Sequence, residues 1–368
     1  MTFAVVTGGG TSGHVLPALA VAEALVDAGH EQSEIHYIGA ERGVETRLVP
    51  PTGFPYTFYD VVGFQRTVTR RNLAFAPKML AATRQATRRF REDRPAVVVS
   101  VGGYASMPAV FAARRLGIPV VVVSYDRTPG RASRVAARRA AACAVAFEHS
   151  PLPRATVTGA PVRRAVLDVD RRRDRGEARR ALGVGDDRFL VAVMGGSLGS
   201  GVLNEAVDAY LRDHRDDTGL AVHHVVGERF VDAVAAVGDG SDGVCHTVVG
   251  YESDMPAVYA AADLLVGRGG ASTVHEVAVT GVPAILVPWA GAADDHQVDN
   301  VEWLREVGGA VLLTEPELDR LGEEIERLRA DEAARDELSR NARARGERHR
   351  SGALPTLIEQ VAVTSRPS

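Results

Sequence analysis

Thr7-Gly8-Gly9-Gly10-Thr11-Ser12-Gly13-His14 joins an opening apolar run, Phe3-Ala4-Val5-Val6, to the apolar stretch Val15-Leu16-Pro17-Ala18-Leu19-Ala20-Val21-Ala22. The first run reads as a short buried strand, and the second as the start of a helix with a proline near its first turn. Strand, glycine turn and helix in that order aim backbone N–H groups and the positive end of a helix dipole, worth about half an elementary charge, at whatever anion lies above the turn. A phosphate-bearing ligand or a developing negative charge is the expected guest.

The pattern continues outward from that turn. A helix ending near Ala28-Gly29-His30 leads to a second strand, Ile35-His36-Tyr37-Ile38-Gly39, which makes a parallel strand-helix-strand unit. A short strand follows within residues 56–71, then a helix over about 72–91. Buried strands are expected at 96–101 and 118–123, with two short ones at 143–147 and 156–158. A second glycine turn, Gly102-Gly103-Tyr104-Ala105-Ser106, follows the 96–101 strand. The charged segment from Asp168 to Arg180 marks a change of domain. Beyond it the plan repeats, with strand 189–194, glycine turn Gly195-Gly196-Ser197-Leu198-Gly199-Ser200 and helix 202–211. Strands at 222–226, 245–248, 264–266 and 285–288 and helices near 230–237 and 255–262 complete the second half.

With 368 residues, 45% of them apolar, the chain exceeds the size at which one core usually stops growing, so two domains are expected. Cys143 and Cys245 match no metal or disulfide spacing and read as buried thiols of a reducing compartment. No basic residue precedes the first apolar run, which reads as a core strand and not a signal peptide. No apolar run reaches the roughly 20 residues of a membrane span. The net charge of -4 conceals an asymmetry: residues 1–164 carry a net +10 and the remainder a net -14. A basic half in an acidic protein suggests an anionic partner. In the helix at 72–91, Leu73, Phe75, Met79 and Leu80 among Lys78, Arg84, Arg88, Arg89 and Arg91 fit either an anionic bilayer surface or an ordinary core-facing helix with a basic outer face.

Gly8-x-Gly10-x-x-Gly13 fits the dinucleotide fingerprint letter for letter. That fingerprint also needs an acid about 20 residues on, at the end of the second strand, to hold the ribose. Here the strand ends at Gly39 and the nearest acid past it is Glu41, beyond that spacing. His14 would also crowd a pyrophosphate lying on the turn. In Gly267-Arg268-Gly269-Gly270-Ala271-Ser272-Thr273-Val274-His275-Glu276, small residues close a strand, and Ser272 and Thr273 can donate to phosphate oxygens at a helix start. Glu276 can accept from the two hydroxyls of a ribose, or serve only as a first-turn acid favoured by the dipole; His275 reads as structural. Asp294-Asp295-His296-Gln297 with Asp299 and Asn300 offers the mixed donors and acceptors that sugar hydroxyls require. Its adjacent residues point apart and complete no metal site.

Six stretches in register carry a resemblance across nearly the whole chain. They are Gly9–His14 with Pro17–Ala20, Gly102-Gly103-Tyr104, Gly159-Ala160-Pro161-Val162-Arg163, Gly195–Gly199, Arg268–Glu276 and Ala292–Gln297. Together they resemble the MurG family of glycosyltransferases, in glycosyltransferase family 28. The resemblance implies an α/β GT-B fold, with two Rossmann-like parallel-sheet domains facing across a cleft. The first, residues 1–162, would take the lipid acceptor, and the second, residues 163–349, the UDP-sugar; a last helix, about 350–368, would pack back on the first. By matched positions, Ser197 and Arg163 would meet the diphosphate, Ala271, Ser272 and Thr273 would line the helix start, and Glu276 would hold the ribose. Gln297 would hold the N-acetylglucosamine hydroxyls, and the backbone near Glu252 the uracil. Thr11, Ser12, Gly13 and Tyr104 would line the reaction centre, with His14 as proton acceptor.

One departure stands out. Where the family carries His-Glu-x-Asn, this chain has Val123-Ser124-Tyr125-Asp126. An acid in place of an amide loses donors, so either the acceptor contact differs or Asp126 is itself a base. The expected activity is an inverting transfer of N-acetylglucosamine from UDP-N-acetylglucosamine (UDP-GlcNAc) to an undecaprenyl-linked muramyl pentapeptide, without cofactor or metal. The expected location is the cytoplasmic face of the cell membrane, peripherally bound, with no nucleic acid partner. The alternatives are a related transferase acting on a secondary metabolite or another glycolipid, and a UDP-sugar epimerase.

Overall fold

Strands β1 (Ala4–Gly8), β2 (Ile35–Ala40), β4 (Val97–Gly102), β5 (Val120–Ser124) and β6 (Ala142–Val145) are buried at every position. Unbroken apolar runs of this kind belong to parallel sheets covered by helices on both faces. With β3 (Tyr56–Tyr59) and β7 (Ala155–Val157), they form a seven-stranded parallel sheet in the order β3-β2-β1-β4-β5-β6-β7. The order reverses at β1, which places the crevice above the carboxyl ends of β1 and β4, where the two glycine turns emerge. The computed structural model describes residues 2–63, 70–196, 198–291 and 296–364.

The chain divides into two compact units, Met1–Arg164 with Arg348–Ser368, and Ala165–Glu347. In the second, β8 (Phe189–Met194), β9 (Leu220–Val225), β10 (Cys245–Val249), β11 (Leu264–Arg268), β12 (Ala284–Val287) and β13 (Val311–Leu312) form a parallel sheet in the order β10-β9-β8-β11-β12-β13. Both units therefore have the Rossmann-like order expected from the sequence. The C-terminal helix Ala353–Thr364 belongs to the first unit and buries Leu354, Ile358, Val361 and Ala362; Glu359 on it pairs with His30 at 3.1 Å.

Three elements depart from the sequence expectation. The helix expected near 230–237 is a run of turns. Gly227, at φ +95°, brings its loop so close to Gly199 that a Cβ on Gly227 would stand 2.5 Å from the Gly199 Cα, and that backbone contact, not a helical face, shapes the segment. The two-residue strand β13 and the one-turn helix Glu45–Leu48 are too short to leave a periodic signal. In the helix Arg70–Glu92, Met79, Ala82, Ala86 and Phe90 enter the core. Lys78 pairs with Asp60 at 2.7 Å, Arg89 contacts His36 at 3.0 Å, and Leu80 is 52% exposed. Most of its apolar stripe is thus core-facing. No helix among the described residues is long and apolar enough to cross a membrane.

Candidate active site

The turn after β1 is held by a carboxylate that the sequence reading missed. Glu45, fully buried, accepts from the backbone N–H of Gly10 at 2.8 Å and of Ala40 at 3.3 Å. A Cβ on Gly9 would lie 2.2 Å from Glu45 Oε1, and one on Gly103, at φ +77°, would lie 2.2 Å from the Gly9 carbonyl oxygen. Both glycines are therefore required by close approach. The Gly10 N–H that a dinucleotide pyrophosphate would use is already taken by the protein's own anion. Tyr104 lies over the same turn, with its ring 2.8 Å from where a Gly10 Cβ would stand.

Past the turn, Thr11 is the N-cap of the helix Ser12–Asp27, but its side chain does not cap the helix. Its hydroxyl instead meets His14 Nδ1 at 3.2 Å, which leaves Nε2 as the ring nitrogen for a proton. The imidazole rests against Gly102, where a Cβ would stand 3.1 Å from the ring. The Tyr125 hydroxyl donates to the Gly13 carbonyl, tying the end of β5 to the helix start. A cavity of about 200 Å³ opens here, lined among others by His14, Gly103, Ser124, Asp126, Arg131 and Ser133. Burial pushes the His14 pKa below its ordinary value, against a smaller opposing pull from the Asp126 charge. A histidine so placed is neutral at pH 7 and able to accept a proton. Of the residues expected in the first unit, His14, Asp126, Thr11, Gly13 and Tyr104 thus cluster around two touching glycine turns, with Ser12 between them in sequence. Arg163 lies half-buried near the end of the unit, before the helix Arg164–Leu167.

In the second unit, β8 and β11 are neighbours, so the turns that follow them emerge side by side. Arg268 joins them: its guanidinium donates to Ser200 Oγ at 2.5 Å and to the carbonyls of Val287 and Pro288 at 3.3 Å, and pairs with Glu315 at 2.6 Å. The helix Ala271–Thr280 begins at Gly270 with no side chain capping it, so its first N–H groups are left to another acceptor. Ala271 and Thr273 are buried at this start and Ser272 is half-buried. Glu276 Oε2 accepts from the Tyr259 hydroxyl at 2.6 Å, a contact beyond simple first-turn dipole placement. His275 packs edge-on against Trp303, as a structural residue does. Gln297 Oε1 accepts from the Trp289 N–H at 2.9 Å, and its backbone carbonyl lies against Gly269. Glu252 accepts from His223 Nε2 at 3.0 Å and from the Asp254 N–H at 2.7 Å, so its carboxylate fixes the loop. Ser197 and residues 292–295 lie outside the described residues. Among the described residues, no group of three or more His, Cys, Asp or Glu is arranged to hold a metal ion.

Comparison with known proteins gives the chain its family. Residues 4–145 match the glycosyltransferase family 28 N-terminal domain and residues 190–353 the family 28 C-terminal domain. The chain is 37% identical to the UDP-N-acetylglucosamine--N-acetylmuramyl-(pentapeptide) pyrophosphoryl-undecaprenol N-acetylglucosamine transferase of Clavibacter sepedonicus, covering 100% of this chain and 98% of that protein. It is also 37% identical to the transferase of the same name from Acidothermus cellulolyticus, covering 98% of each. The crystal structure of Acinetobacter baumannii MurG superposes with a TM-score of 0.70 at 27% identity, over 98% of this chain and 99% of that one. With both domains of the family matched and its whole length shared with these enzymes, the chain belongs to glycosyltransferase family 28, among the GT-B transferases of the MurG type.

Proposed function

We infer that the chain transfers N-acetylglucosamine from UDP-GlcNAc to the muramyl-pentapeptide pyrophosphoryl-undecaprenol lipid, converting lipid I to lipid II in peptidoglycan synthesis. The observation that carries this reading is the full-length likeness, at 37% identity, to enzymes whose names state that reaction. The acceptor is assigned to the first unit and the UDP-sugar to the second. The acceptor hydroxyl attacks the anomeric carbon, the bond from that carbon to the β-phosphate oxygen breaks with inversion, and UDP departs. His14 Nε2 takes the hydroxyl proton, and Asp126 stabilises the imidazolium that forms. In the second unit, the uncapped helix start at Ala271, Ser272 and Thr273, together with Ser197, meets the diphosphate, where stabilising the departing charge is the main electrostatic task. Glu276, braced by Tyr259, accepts from the ribose, Gln297 from the sugar hydroxyls, and Arg163 completes the diphosphate contacts.

We place the protein peripherally at the cytoplasmic face of the membrane, where its lipid substrate lies. The excess of cations in residues 1–164 and the exposed Leu80, Arg84 and Arg88 of the helix Arg70–Glu92 support that location. A second reading keeps the donor and changes the acceptor to another glycolipid or a secondary metabolite. It is favoured by Val123-Ser124, where the family carries His-Glu, and by Asp126 in place of Asn. Comparing UDP release with a short-chain lipid I analogue and with no acceptor tests the assignment: acceptor-dependent release supports transfer, and acceptor-independent consumption of UDP-GlcNAc refutes it.

A further inference from the structure

The helix Gly201–Asp213 is 13 residues long and is capped at its start by Ser200, whose hydroxyl accepts from the Leu203 N–H at 3.4 Å. Two guanidinium groups converge on that positive end. Arg268 lies 2.5 Å from Ser200 Oγ, and Arg229 donates to the Gly199 carbonyl at 3.1 Å. Cations are stabilised at helix C-termini and opposed at N-termini, so both are placed against the dipole. Arg268 is neutralised by Glu315 at 2.6 Å. For Arg229, no carboxylate comes within ion-pair distance among the described residues. Its contacts are the Gly199 carbonyl and the face of Phe230, 4.5 Å from guanidinium carbon to ring centroid. One of its five donors is used.

The loop that carries Arg229 is fixed in place. Gly227 abuts Gly199 backbone to backbone, the Phe230 ring packs against Gly199 and Gly201, and on its other side a Cβ on Gly250 would stand 3.3 Å from the Glu228 Cα. A positive charge is thus braced at the mouth of the glycine turn that follows β8, on a loop wedged between that turn and the segment leading to Glu252. An anion arriving at the turn relieves the unfavourable pairing of cation and dipole and takes up the remaining donors.

We propose that Arg229 is a diphosphate-binding residue of the donor site, contacting the nucleoside diphosphate beside Gly199 and the helix start at Ser200. This rests on the reading of the second unit as the seat of UDP. No sequence signal marks it, because Gly227-Glu228-Arg229-Phe230 matches no phosphate motif and lies in the connection before the helix expected near 230–237.

The test is calorimetric binding of UDP and of uridine to the full chain, unsubstituted and as Arg229→Ala and Arg229→Lys. Arg229→Ala is expected to weaken UDP about 10- to 100-fold, the range of one or two charge-assisted hydrogen bonds, and to leave uridine unchanged. Arg229→Lys is expected to recover part of the loss. UDP affinity unchanged in Arg229→Ala overturns the proposal. So does an equal loss for UDP and uridine, which would make Arg229 a support for its loop alone. Absence of UDP binding by the unsubstituted protein overturns the donor-site reading itself, and the proposal with it. Arg229 is exposed, so the variants are expected to keep the unsubstituted melting temperature.

Discussion

Glu45 reaches back from beyond the second strand to accept the Gly10 N–H at 2.8 Å, and its carboxylate is fully buried where the first glycine turn meets the second. The turn that most resembles a nucleotide motif is therefore built around an internal anion. Its shape is imposed by Glu45 before any substrate arrives, which is what pre-organisation of a reaction centre requires.

Removing that anion is expected to loosen the reaction centre without touching donor binding. Glu45→Ala leaves the Gly10 and Ala40 N–H groups without their acceptor, at a cost of about 1–3 kcal/mol per buried group. The expected outcome is a lower melting temperature and a fall in kcat, with UDP affinity by calorimetry unchanged. Glu45→Gln, which keeps the acceptor oxygen, is expected to retain more of both. Unchanged kcat in a folded Glu45→Ala protein contradicts the role given to the turn.

The pH profile separates the two candidate bases. Burial holds the His14 pKa below its ordinary 6.5, so the acid limb of kcat/KM is expected below pH 6.5. The Asp126 charge raises that pKa, so Asp126→Asn is expected to move the limb to still lower pH while activity persists. His14→Ala is expected to lose about 10²- to 10⁴-fold in turnover. If Asp126→Asn shows the larger loss and His14→Ala a small one, the proton goes to Asp126.

Glu276 and Tyr259 form a second testable pair. Glu276→Ala is expected to weaken UDP by about 10-fold or more, the scale of hydrogen bonds to a charged acceptor. Tyr259→Phe, which removes only the 2.6 Å brace, is expected to raise the KM for UDP-GlcNAc several-fold with kcat little changed. Equal UDP affinity in Glu276→Ala would reduce that carboxylate to a partner for Tyr259 and the helix start.

Stability is expected to fall on mild acidification. Burial first, then the nearby Arg89, holds His36 down to about 4. Burial with the neighbouring His246 and His223 holds His224 at about 3, and burial holds His246 at about 4. Between these values and the ordinary 6.5 the unfolded chain binds more protons than the folded one. Each histidine therefore takes away up to about 1.4 kcal/mol per pH unit as pH falls through that window, and none above it. Thermal unfolding at pH 7.5, 6.5 and 5 is the check: a flat melting temperature from 7.5 to 6.5 and a lower one at 5 are expected, and no change down to pH 5 contradicts the burial of these rings.

The sheets were legible in the sequence because parallel strands covered on both faces leave unbroken apolar runs such as Val97 to Val99 and Leu264 to Val266. His14 and Glu276 stood out because they lie at or just past glycine-rich turns that close such runs, and Asp126 because it departs from the family pattern. Glu45 did not. It sits in a one-turn helix, and its reach to Gly10 crosses 35 residues with no periodic trace. Tyr125 was read only as part of a departure from the family pattern, although its bond to Gly13 fixes the residue beside His14. Arg268 was quoted within a glycine-rich stretch, but its link to Ser200 depends on β8 and β11 being neighbours, a tertiary fact that no local pattern carries.

The most direct test of the account is a transfer assay with UDP-GlcNAc and a short-chain analogue of the muramyl-pentapeptide pyrophosphoryl lipid. The account predicts one disaccharide-bearing product formed for each UDP released, with inverted anomeric configuration and no UDP released when the acceptor is left out. Consumption of UDP-GlcNAc without acceptor, or a product that keeps the donor's anomeric configuration, would contradict it.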